Sequence, residues 1–68
     1  MKGDNQRRIL LLLLTKPQGT LTKYAIHKQV GCSYPWVIMY LNQLEKKGLV
    51  EKTKVTDIRK LIMEYRKE

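Results

Sequence analysis

The sequence predicts a mainly α-helical domain with a short β element: three helices, one short strand, and a C-terminal helix. Three observations carry this. Apolar-rich stretches of helical length stop at Pro17, Gly31 and Gly48, residues that end helices. The second and third stretches open on hydroxyl residues suited to capping, Thr20 or Thr22 and then Ser33. β-Branched residues alternate with polar ones only over 49–55. At 68 residues the chain is long enough for one domain, 1–68, and no repeat or low-complexity stretch divides it.

Helix 1 is expected over about residues 5–16, after a short start at Met1–Asp4, with Asp4 or Asn5 as its N-cap. Its apolar run Ile9–Leu14 is too wide for one helical stripe. Ile9, Leu10, Leu13 and Leu14 can face a core, which leaves Leu11 and Leu12 uncovered. Either those two leucines meet a second molecule, or the helix sits deep between other elements. Helix 2 is expected over about 22–30. Helix 3 follows over about 34–47, with Ser33 as N-cap, Pro35 tolerated in the first turn, and Val37, Leu41 and Leu44 at i, i+4, i+7. The strand spans about 49–55.

Residues 57–67 admit two readings. Asp57 can cap a helix that puts Ile58, Leu61, Ile62 and Tyr65 at i, i+3, i+4, i+7; alternatively Leu61, Met63 and Tyr65 form one face of a second strand. The helix is preferred, because no Asn-Gly or Gly-rich turn precedes the segment and a strand would put Ile62 on the wet side.

Fourteen Lys+Arg against six Asp+Glu give a net charge of +8. That balance favours phosphate backbones or anionic lipid as partners. The excess is spread over both halves of the chain, so the folded surface must present it as a patch. The longest apolar run, six residues, falls far short of the roughly 18–20 that cross a bilayer. No signal-peptide cleavage site follows it, so a cytoplasmic protein with no membrane partner is expected. The last helix is too balanced in charge for a membrane-surface anchor.

A single cysteine, Cys32, excludes an internal disulfide and the four-cysteine or two-cysteine, two-histidine zinc sites. With His27 the lone histidine, no metal and no cofactor is expected. No acid–base pair, activated nucleophile or phosphate-cradling glycine loop has the spacing catalysis needs, so the chain reads as a non-enzyme.

Helices 2 and 3, joined across Gly31-Cys32-Ser33, make a helix-turn-helix unit. Three stretches in order extend this: Leu21-Thr22-Lys23-Tyr24-Ala25-Ile26, Val30-Gly31-Cys32-Ser33-Tyr34-Pro35-Trp36-Val37, and Leu41-Asn42-Gln43-Leu44-Glu45-Lys46-Lys47-Gly48-Leu49-Val50. The region from Ile9 to Val55 thereby resembles the winged helix-turn-helix family of archaeal and bacterial transcription regulators. Two features depart from that pattern. His27 stands where a small residue is frequent, and only one good strand is available for a wing that usually has two.

The resemblance implies a transcriptional regulator that binds double-stranded DNA with helix 3 in the major groove, and the uncovered apolar residues of helix 1 and of 58–65 add the expectation of a homodimer. Base contacts would fall on Ser33, Tyr34, Pro35, Ile38, Met39 and Asn42, with Trp36 at the edge. Trp36 and Tyr34 have rival readings as packing residues, Trp36 the more so. Asn42 suits adenine, while Ile38 and Met39 suit thymine methyls. Phosphate contacts would come from Lys23, Lys28, Lys46, Lys52 and Lys54, with help from Arg7 and Arg8. The dimer would form through Leu11, Leu12, Ile58, Leu61, Ile62 and Tyr65. Two rivals use the same fold: a protein-docking module working through Trp36, Ile38 and Met39, and a binder of structured RNA. No effector ligand is legible.

Overall fold

The computed structural model describes residues 4–67. Met1–Gly3, part of the expected short start, and Glu68 lie outside the described residues. Four helices and a two-stranded antiparallel hairpin follow in the order α1 (Asp4–Thr15), α2 (Lys23–Val30), α3 (Tyr34–Lys46), β1 (Val50–Glu51), β2 (Lys54–Val55) and α4 (Ile58–Lys67). No helix among the described residues is long and apolar enough to cross a membrane.

Local chemistry sets the helix ends. Asp4 and Asn5 both lie inside α1, so neither is its N-cap; Asp4 instead puts an acidic residue in the first turn, where it complements the helix dipole. Thr22 caps α2 by accepting the Ala25 N–H at 3.0 Å, and Ser33 caps α3 by accepting from Trp36 N–H at 3.4 Å. Gly31 takes the left-handed conformation (φ 84°) and returns its N–H to the His27 carbonyl, which is what turns the chain sharply into α3. The end of α3 is a Schellman motif: Leu49 N–H donates to Leu44 O and Gly48 N–H to Glu45 O, both at 3.0 Å. Leu49 is buried against the core, the hydrophobic contact that usually accompanies that motif.

The stretch expected as one strand folds back on itself. Val50 pairs with Val55 and Glu51 with Lys54, around a two-residue turn in which Lys52 adopts φ 58°. A left-handed first turn residue matches the twist of the flanking strands. The α1–α2 loop adds a third thread, because Val55 N–H donates to Pro17 O at 2.9 Å and Gln18 bridges to Lys54. The segment after Thr56 is the helix of the two readings. Asp57 caps it by accepting the Lys60 N–H at 3.1 Å.

The core gathers Ile9, Leu10 and Leu13 from α1, Ile26 and Val30 from α2, Val37, Tyr40, Leu41 and Leu44 from α3, and Leu61 from α4. Leu21, Leu49 and Val50 close it from the loops and hairpin. The wide leucine run of α1 is divided by this packing. Leu11 is exposed, while Leu12 and Leu14 are partly buried against the core, because α1 packs on both α2 and α4.

Candidate nucleic-acid interface

The outward face of α3 follows from the positions of its buried ones. With Val37, Tyr40, Leu41 and Leu44 inside, a period of 3.6 residues turns Pro35, Met39, Asn42 and Lys46 directly away from the core. All four are exposed. Ile38, at the side of this stripe, is half-buried. Gln43, on its other side, is exposed; it was not singled out from sequence, although its carboxamide type and its place beside Asn42 were visible there.

The start of α3 is tied to α2 by rings. Tyr24, His27 and Tyr34 form a three-membered cluster, with centroid separations of 5.6 Å for Tyr24–His27, 5.7 Å for His27–Tyr34 and 6.4 Å for Tyr24–Tyr34. The His27 Nδ1–H donates to the Cys32 carbonyl at 2.5 Å. The imidazole therefore fills the crevice between the helices and fastens the turn, and Cys32 packs partly buried against the core. The Lys28 ammonium lies 5.7 Å from the centre of the Tyr24 ring, within cation–π range. Tyr24 is more exposed (59%) than Tyr34 (41%), and it too was missed in the sequence. Its signal was an aromatic residue in the first turn of α2, three before His27.

Of the seven expected base-contact residues, Pro35, Met39 and Asn42 lie on the exposed outward face of α3, Ser33 and Tyr34 are exposed at its start, and Ile38 stands at the margin of that face. Ser33 accepts the α3 cap bond as well. Trp36 is half-buried, with its ring stacked on Tyr40 at 5.5 Å and 16°. Its indole is a packing element first. Among the expected phosphate contacts, Lys28, Lys46, Lys52 and Lys54 are exposed and Lys23 is half-buried. Lys52 stands at the tip of the hairpin. Arg7 is committed elsewhere: its guanidinium sits 4.8 Å over the Tyr65 ring and donates to the Tyr65 hydroxyl at 3.4 Å, joining α1 to α4.

The expected interface between copies is split by the fold. Leu61 is fully buried in the chain's own core, because α4 turns it toward α1, so it is not available to a second molecule. Leu12 and Tyr65 are partly covered. Leu11, Ile58 and Ile62 are exposed, and Met63 (60%) joins them.

A helix-turn-helix unit with a two-stranded wing and a C-terminal helix is thus assembled from nearly the whole chain. The family model described as sugar-specific transcriptional regulator TrmB matches residues 3–67. The chain belongs to the TrmB family. Members of the TrmB family are transcriptional regulators that bind DNA. Searches of curated proteins and of solved structures find no match to this TrmB-family chain.

Proposed function

We propose that this TrmB-family chain binds double-stranded DNA sequence-specifically as a homodimer, with α3 in the major groove, and regulates transcription in the cytoplasm by occupying promoters. The observation that carries the reading is the exposed stripe Pro35, Met39, Asn42, Lys46 on α3, with exposed lysines on the neighbouring elements: Lys28 on α2, Lys52 and Lys54 on the hairpin. Base edges are then met by the helix and phosphates by lysines, the usual division of labour between specificity and affinity. Regulation works through occupancy, with no chemistry at the site. Leu11, Ile58 and Ile62 supply the surface for the second copy, and the two recognition helices address half-sites about 34 Å apart.

The test is fluorescence anisotropy of a labelled mixed-sequence duplex at several salt concentrations, with sedimentation at micromolar protein. A linear fall of log affinity with log salt, at a slope worth about four to eight phosphates, supports the DNA reading. No binding at low salt rejects it in favour of a docking module. Tighter binding to an A-form RNA duplex redirects it to RNA. A monomer at all concentrations removes the homodimer.

A further inference from the structure

We propose that α3 selects A·T pairs by burying thymine C5-methyl groups against Met39 and Ile38, while Asn42 and Gln43 pair with adenine. This rests on the DNA reading above and specifies what the helix reads.

Hydrogen-bonding capacity on the exposed part of α3 is narrow. From Tyr34 to Gln43 there is no lysine, arginine or histidine, so the bidentate cationic contact that distinguishes guanine is missing from that stretch. The first cation is Lys46, in the last turn of α3. It stands a full turn beyond Asn42 and so is the residue to meet the backbone. The remaining polar side chains facing outward in the middle of the helix are the two carboxamides, Asn42 and Gln43, both exposed. A carboxamide matches the adjacent acceptor and donor, N7 and N6–H, of adenine.

The apolar residues complete the argument. Met39 is 48% exposed, one helical turn before Asn42 and Gln43, and Ile38 lies half-buried beside it. An unbranched thioether at that place is a poor choice for solvation and a good one for fitting against a methyl group. Thymine is the only base of ordinary DNA that presents a methyl in the major groove. An apolar residue one turn from a carboxamide therefore matches a thymine close to an adenine, and both contact types select A·T pairs through their major-groove edge.

The experiment first selects duplexes from a random library with the full chain. It then compares the best duplex with versions carrying uracil for thymine, one position at a time. Uracil removes the methyl and keeps the pairing. The selected half-sites are expected to be rich in A·T pairs. Affinity is expected to fall about fourfold at each contacted thymine, the factor that burying one methyl-sized group is worth. In Met39→Ala, whose site is exposed and whose melting should match the parent, the uracil penalty at one position should vanish. Met39→Arg should shift selection toward guanine. Salt-dependent binding with equal affinity for thymine and uracil duplexes, or selection of G·C-rich half-sites, overturns the methyl readout and leaves DNA binding standing. Failure to bind any duplex overturns both.

Discussion

His27 Nδ1 donates a hydrogen bond to the carbonyl oxygen of Cys32, five residues on, across the glycine turn between α2 and α3. That one bond ties the end of α2 to the start of the recognition helix, with Tyr24 and Tyr34 packed on the same imidazole. Removing the ring in His27→Ala should cost about 1 kcal/mol, the net worth of one hydrogen bond. For a domain of this size, that lowers Tm by about 4–8 °C. DNA affinity should fall further than stability alone explains, because the angle of α3 loosens. Thermal melting by circular dichroism and anisotropy on one preparation separate the two effects. An unchanged melt would show that the bond contributes nothing net.

Gly19 and Gly31 both have positive φ, but only Gly19 meets a neighbour. A Cβ there would lie 3.0 Å from Lys54 Cβ, whereas at Gly31 nothing lies within 4 Å. Gly31→Ala should therefore cost only the left-handed backbone strain, about 1–2 kcal/mol. Gly19→Ala should cost more, since it also pushes the α1–α2 loop off β2. Urea denaturation should rank them in that order; the reverse order would mean the loop yields without penalty.

Lys47 Nζ and Glu64 Oε2 meet at 3.0 Å, with side chains 52% and 11% exposed. Half-exposure of the lysine keeps the pair near the surface range, at most about 1 kcal/mol, and sensitive to salt. Lys47→Ala should destabilise the domain in dilute buffer, and less in 1 M salt. Because Glu64 already neutralises this lysine, the salt slope of DNA binding should not change. Lys28→Ala and Lys52→Ala should each reduce that slope by about 1, with little loss of stability. A drop in slope for Lys47→Ala would move the DNA footprint toward α4.

Leu61 and Ile62 are neighbours in sequence with opposite surroundings, 0% and 40% exposed. Leu61→Ala should cost about 2–5 kcal/mol through the cavity it leaves. Ile62→Asp should leave the monomer folded and abolish self-association in sedimentation. If Ile62→Asp still dimerises, the second copy uses another face.

Much of the architecture was readable because capping residues and glycines sit at helix ends, where their chemistry is local. Thr22, Ser33, Gly31, Gly48 and Asp57 each act where the sequence placed them, and the helix limits shift by a residue at most in α1, α2 and α3. The hairpin was not readable. Two-residue strands carry too little alternation to reveal a fold-back, and Lys52 in a left-handed turn gives no compositional signal. Leu61 was assigned outward because a run of apolar residues on α4 does not say which of them α1 covers. The clustering of Tyr24 with His27 and Tyr34 depends on the α2–α3 angle, which no spacing encodes. Exposure of Met39 and Asn42 was legible, since it follows directly from the inward stripe of α3; Tyr34 falls on the row of Val37 and Leu41 and is exposed in the first turn all the same.

The wing owes its shape to a segment far behind it in the chain. Val55 N–H reaches back to the Pro17 carbonyl, and the Thr53 hydroxyl donates to the Gly19 carbonyl at 3.4 Å. Two strands of two residues would not hold alone. Closing them against 17–19 spans a loop that encloses α2 and α3, so its closure is less costly once those helices have docked. The amide of Val55 should exchange with solvent at the rate at which the α1–α2 loop lifts away, making that single proton a reporter of when the tip holding Lys52 is set and when it is adrift.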